Sequence, residues 1–417
     1  MIPSILALSP TLARAAARST GPANISAAAQ QWAARPAEER YWSLADAAAA
    51  SRSMDARRTL ADLDPKRATI GTDADGHPAL LHRASGHTAR LDPLAVEQIS
   101  RLVGAPGGYI TSLPGELAAK CLAQGWESRA ASGLPTIRAQ VVDASTPSVR
   151  IRAITSTTHD LTPNSLLLAR LAEIQAQGRG WRVPPARVPS GWTGETKVAT
   201  EADCLQHAGH PALSVTPGSV MAPSGVYASD RDCFALLVDD SDSGQLDAGG
   251  DPLHRFVMIS NSETATGALA VTTGWLRSVC GNHVLWSAQN IIDIRAVHRG
   301  ASATRSVFRL AGQIEARNWM DDRSETAAAF AAAKVCELAK TKDDLIAMLF
   351  AKKLMTRERA TACANVAEEL ESIDGGPRTA WGVAQAATRL SQVSSYASER
   401  HELDAAGAKI LALAAKG

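Results

Sequence analysis

The chain has 417 residues, long for one domain, and 45% of them are hydrophobic, enough to bury a substantial core. The 43 Lys and Arg stand against 42 Asp and Glu, a net charge of +1. That balance excludes a polycation gripping nucleic acid with its whole surface, so any such grip has to be a local patch. Six scattered cysteines argue against a disulfide framework and for reduced thiols in the cytoplasm, and no run of about eighteen apolar residues is available to span a membrane.

The opening MIPSILALSPTLARAAARST puts Arg14 and Arg18 after its short apolar run, the reverse of a secretory signal. Alanine carries much of the apolar count and favours helices, so residues 1–140 are expected to be mainly helical, with helical patches over 24–63. Residues 65–95 are polar and read as loop. A helix is predicted from Pro93 to Val103, stopped by GAPGG. Another opens near Pro114, with Leu117, Cys121 and Leu122 at helical spacing.

The texture changes near Val141. SVRIRAITS alternates Val149, Ile151 and Ala153 with Arg150 and Arg152, a half-buried strand with its arginines outward. LTPNSLLLARLAEIQ follows as a helix, with Thr162 as cap, Pro163 in the first turn and Leu167, Leu171 and Ile174 on one face. GWRVPPARVPSGW is too proline-rich for a central strand and suits an edge strand leading into a loop. TEADCLQHAGH suggests a short helix and DCFALLVDD a buried strand. RFVMISN and GALAVTT form a hairpin across SETAT. The period then becomes helical, with Leu276, Val279, Cys280, His283 and Val284 on one face. Beyond IIDIRAVHRG the chain is helical to its end, divided at Gly375, Gly376 and Pro377. The expectation is an α+β fold: a central antiparallel sheet module at 141–318, ordered strand–helix–strands–helix, between a helical N-terminal region at 1–140 and a helical C-terminal region at 319–417.

Four chemistries compete for this module. Cys204, His207 and His210 with Cys280 and His283 offer zinc ligands, but their spacing fits no zinc template, so no metal is expected. Asp239, Asp240, Asp242, Asp247 and Asp251 could hold a divalent cation, yet their order is not that of a calcium loop, and a solvated hairpin loop is the better reading. Neither a nucleophile elbow nor a phosphate or dinucleotide loop is present, so neither an enzyme nor a cofactor is indicated. The fourth chemistry is basic. Residues 150–188 hold six Arg against Asp160 and Glu173, and residues 295–317 hold five Arg and His298 against Glu315. Arginine forks grip phosphate, and Trp181, Trp192, Trp275 and Trp286 could stack bases.

VYASDRDCFALLVDD, NSETATGALAVTTGWLRSVCGNHVLW and IRAVHRG, in this order, resemble the phage- and plasmid-associated domain-of-unknown-function family 932. APGGYITSLPGELAAKCL, TKVATEAD, RTAWGVAQAATRLSQ and SERHELDAAGAKIL resemble its longer members, so the likeness runs from about 95 to 415. His283 departs from the family, whose members often carry another residue there, and this weakens the metal reading. The resemblance implies a protein of a mobile element, encoded near DNA-processing genes, with no settled activity. The element order is also similar to the core of single-strand annealing proteins such as the phage Red-beta group.

Together these observations lead to the expectation of a non-enzymatic, oligomeric protein that binds nucleic acid, with single-stranded DNA as the expected form. Arg150, Arg152, Arg277, Arg295, His298, Arg299 and Arg309 would meet phosphate. Asn261, Ser262 and Glu263 would close the hairpin, with Val279 and Cys280 in the core. Two alternatives stand: an assembly protein that docks partners without nucleic acid, and a metal-dependent nuclease using the acidic run.

Overall fold

The structure is a computed structural model. It describes residues 37–146, 149–177, 180–184, 186–188, 192–204, 215–223, 225–241, 245–247, 252–267, 269–277, 294–296, 323–370, 375–393 and 397–414. The fold is α+β, with a mixed six-stranded sheet, two antiparallel sheets and a helical C-terminal region.

Helix α1 (Leu44–Ala56) opens the described chain, capped by Ser43, whose hydroxyl accepts from the Asp46 N–H. Strands β1 (Arg58–Leu63), β2 (Ala68–Thr72), β3 (Pro78–His82) and β4 (Thr88–Leu91) follow. The loop expected at 65–95 is therefore corrected, and the N-terminal region, expected to be mainly helical, carries strands beside its helices. Ala68 and Ile70 are buried at alternating positions of β2, but β3 buries the adjacent Ala79 and Leu80 and β4 buries only Leu91, so no clean period of two marks these short strands in the sequence.

Helix α2 (Pro93–Val103) has the expected bounds, and Gly104 ends it in the left-handed region at φ 77°. A short helix α3 (Gly107–Ser112) fills the expected break, and α4 (Gly115–Ala131) follows. Strands β5 (Ile137–Val142) and β6 (Arg150–Ser156) complete the sheet in the order β1-β5-β6-β4-β3-β2, parallel only between β4 and β6. This sheet joins strands from both sides of the change in texture expected near 141. Its core holds Ile99 of α2, Leu122 and Trp126 of α4, and Ile137 and Ile154 of the strands. The Trp126 indole N–H donates to the Pro65 and Ala68 carbonyls, so the ring is buried with its polar atom satisfied.

Helix α5 (Asn164–Ala176) starts after Pro163, one residue later than a Thr162 cap would place it. Short strands β7 (Trp181–Arg182), β8 (Ala186–Arg187), β9 (Lys197–Val198) and β10 (Val220–Ala222) come next, and β8-β10-β9 form a small sheet. The helix expected in TEADCLQHAGH is one 3-10 turn, Glu201–Asp203, closed by a capping box from Thr200. Strands β11 (Val226–Ala228), β12 (Asp232–Asp239), β13 (Gln245–Asp247), β14 (Pro252–Ser262), β15 (Leu269–Arg277) and β16 (Ile294–Ala296) make an antiparallel sheet that also takes in β7. The buried strand and the hairpin expected from sequence are β12 and β14–β15. One face of this sheet, with Ala235, Val257 and Ile259, packs on Leu44 of α1 and Leu167 and Leu171 of α5.

The helical period assigned after the hairpin is corrected at its start. Leu276 belongs to β15 and pairs with His254, because the long β14 gives its partner strand a template that local periodicity does not reveal. Val279, Cys280, His283 and Val284 lie outside the described residues.

Helices α6 (Arg323–Val335), α7 (Lys342–Ala351), α8 (Arg357–Glu369), α9 (Ala380–Val393) and α10 (Ala397–Ala414) form the C-terminal region, divided at Gly375–Pro377 as expected. Trp381 lies edge-on to Phe330 at 5.4 Å in its core. Burial pushes the Cys363 thiol up to about 12.

Helix α7 ends in a Schellman turn, in which the Leu354 N–H donates to the Leu349 carbonyl at 3.0 Å. The left-handed residue of that turn is Lys353, at φ 55°, where glycine is the usual occupant. Lys353→Gly is expected to raise stability by about 1 kcal/mol, read as a higher urea midpoint at unchanged slope. A lower midpoint would mean that the lysine side chain more than repays its backbone strain.

Candidate functional site

The densest buried polar cluster among the described residues surrounds the tip of the β14–β15 hairpin. Glu263 follows β14 and is 2% exposed. One carboxylate oxygen accepts from Arg152 Nη2 at 2.7 Å and from Arg58 Nη1. The other accepts from the backbone N–H of Asn164 at 2.6 Å. Glu263 thus supplies the anion at the N-terminus of α5 that Pro163 has no side chain to provide.

The main chain of the tip is held as firmly. Gln140 Nε2 donates to the Glu263 carbonyl at 2.6 Å, and Gln98 Nε2 to the Thr264 carbonyl at 2.8 Å. The Glu263 N–H donates to the Arg231 carbonyl. Asn261 Nδ2 reaches the Thr162 carbonyl and Asn164 Oδ1. The hairpin therefore docks on β1, β5, β6, α2 and the start of α5, and couples the two large sheets through buried charge. Burial pushes the Glu263 carboxyl up, against the pull of both guanidiniums and the Asn164 N–H.

His159 sits beside this cluster, its Nε2 at 3.3 Å from the Glu263 carbonyl. Burial depresses its pKa, against the Glu263 carbonyl and Asp160. A depressed folded pKa means that the neutral ring contributes stability above the unfolded value of about 6.5, and that this is lost as pH falls below it. His159→Gln should remove part of the acid destabilisation expected below about pH 6.5. Unfolding midpoints of the two proteins that fall in parallel with pH would contradict this.

The expected phosphate contacts are not brought together. Arg152 is corrected outright: it is 1% exposed and bound to Glu263 and Gln140, so it does not face outward. The bulge between Gln140 and Val141 and the cover from the hairpin tip bury β6 on both faces, which alternation alone could not show. Arg150 is partly exposed and paired with Asp92 at 2.9 Å. Arg277 ends β15 and Arg295 lies in β16, an outer strand of its sheet, opposite Ala270. Strand parity puts positions 277 and 295 on opposite faces. His298, Arg299 and Arg309 lie outside the described residues.

The tryptophans divide as well. Trp181 is buried, with the Arg255 guanidinium 5.9 Å from its ring centre, and Trp192 is half-buried under Arg40 at 5.2 Å. Trp286 lies outside the described residues.

The acidic run is not a solvated loop at its start. Asp239 and Asp240 are buried, Asp239 paired with Arg255 and Asp240 with Arg182 at 3.0 Å. Asp242 and Asp251 are not described, and Asp247 is in β13. Cys204 donates its thiol hydrogen to the Thr200 carbonyl, and His207, His210, Cys280 and His283 fall outside the described residues. Among the described residues no three His, Cys, Asp or Glu side chains gather as metal ligands, and no helix is long and apolar enough to cross a membrane.

Arg58, Gln98, Gln140, His159 and Asn164 were not anticipated from sequence. The only available signal was polar residues within apolar strand and helix patterns, as in IRAQVV.

No curated protein and no solved structure gives a match. The profile of the family described as a domain of unknown function (DUF932) matches residues 212–403, from the strands before the hairpin to the last helix. The hairpin tip with its Asn261–Ser262–Glu263 lies inside that span, while Arg58 and Arg152, which clasp it, lie outside. Residues 212–403 therefore match the DUF932 domain, and the hairpin tip of this segment docks on the preceding sheet through the Glu263 carboxylate and through the Gln98 and Gln140 amides.

Proposed function

We propose that this is a non-enzymatic nucleic-acid-binding protein of a mobile genetic element, acting on single-stranded DNA as a homo-oligomer. One observation carries the reading: Arg295 stands in an outer strand of the antiparallel sheet, at the head of a stretch to residue 317 with five Arg against Glu315. An arginine-rich stretch that begins at a sheet edge has a rigid anchor at one end, and guanidiniums grip phosphate in bidentate forks. Arg299, His298 and Arg309 extend the contact, and Arg277, at a position on the opposite face of the sheet, is left out of it. Arg152 has no part in it, and Arg150 is a weak contributor because Asp92 already neutralises it.

A labelled oligothymidine titrated with the wild type and with Arg295→Ala/Arg299→Ala tests the reading. Binding by the wild type that duplex DNA competes for poorly, and that is weakened in the variant, is expected. Wild type that binds neither strand form at low salt would end it.

A further inference from the structure

The C-terminal helices enclose an open cleft of about 740 Å³ between the end of α7, the turn into α8 and the face of α10. Its first lining residue, Phe350, follows the last arginine of the arginine-rich stretch, Arg317, in the chain. Its size falls within the range of ligand-binding clefts, roughly 300–1,000 Å³. The floor is aliphatic, with Met355, Leu403 and Ala406 all buried. Phe350 stands at the rim and is 52% exposed, a large apolar side chain left in water.

The rim is basic. Lys353 and Lys409 are both exposed, and Arg359 pairs with Glu402 at 2.6 Å. Lys353 is also the left-handed residue described above. Strained non-glycine residues concentrate where a side chain is used, and here the lysine occupies a position that glycine would fill without strain.

We propose that this cleft docks an acidic peptide segment of another protein, with an apolar side chain on the Met355–Leu403 floor and carboxylates at Lys353 and Lys409. Charge complementarity selects the occupant. A nucleic acid fits less well: bases stack on aromatic platforms, and the floor of Met355, Leu403 and Ala406 is aliphatic.

The test uses a fluorescein-labelled peptide of Asp and Glu carrying one Leu and one Phe, and a control with Lys in place of the acids. Fluorescence anisotropy should show the acidic peptide binding the full chain and the basic one not. Lys353→Gly/Lys409→Ala should weaken binding about tenfold while folding stays intact, since glycine relieves the turn. Phe350→Ser should weaken it as well, while oligothymidine binding is unchanged in both variants. Equal binding of the two peptides, or no binding, overturns the proposal. It is also overturned if the lysine variant instead loses oligothymidine binding or a concentration-dependent self-association, which would assign the cleft to nucleic acid or to a second copy.

Discussion

Glu263→Ala is expected to cost about 3–5 kcal/mol of folding stability, far more than an ordinary surface substitution. The carboxylate is the shared partner of Arg58 and Arg152. Arg152 is 1% exposed, so without Glu263 its charge stays buried with only Gln140 for company. The Asn164 N–H loses its acceptor in the same change. The cost arises from this asymmetry: a complete buried ion cluster adds little over an apolar core, but half of one is strongly unfavourable. Glu263→Gln keeps the shape and one acceptor and should fall between the wild type and alanine. Urea unfolding followed by circular dichroism gives the difference, and a loss in the alanine variant below about 1 kcal/mol would show that the hairpin tip does not hold the sheets together.

Trp381→Ala should cost a similar amount, about 3–5 kcal/mol, by a different route. The ring is fully buried between α6 and α9, edge-on to Phe330, with the Lys334 ammonium 5.7 Å from its centre. Removing it opens a cavity that the helices cannot close, because Gly382 already brings α9 against the preceding turn: a Cβ there would meet the Gly376 carbonyl oxygen at 2.2 Å. Hydrogen exchange should show faster amides across α6 and α9, with β14 and β15 little changed. Uniform loss of protection in every element would instead mean that the C-terminal helices and the sheets unfold as one unit.

The sequence was legible where a local pattern decides structure. Pro93 and Gly104 bracket α2 because each acts on its own backbone. The β14–β15 hairpin is clear because two short apolar runs flank a polar turn. The GG–P break at 375–377 divides the last helices for the same reason. The N-terminal sheet was not legible: its strands are four to seven residues long and pair across up to 84 positions, as Arg58 does with Val142. At the site, the Asn261–Ser262–Glu263 turn was visible, but its partners come from Arg58, Gln98, Gln140 and Arg152, between 111 and 205 residues away. Arg152 misled because strand alternation predicts a face but not what covers it.

The central claim, that the arginine-rich edge holds single-stranded DNA, is tested most directly by the salt dependence of binding. Each phosphate neutralised on a single strand releases counterions and contributes a slope of about −0.7 to the log–log plot of affinity against salt. Fluorescence anisotropy of a labelled oligothymidine across a salt series should give a steep negative slope for the wild type. For Arg295→Ala/Arg299→Ala the slope should be flatter by about 1 to 1.5, with the unfolding midpoint unchanged. An identical slope in the two proteins, or a wild type that binds no oligonucleotide at low salt, would contradict the account.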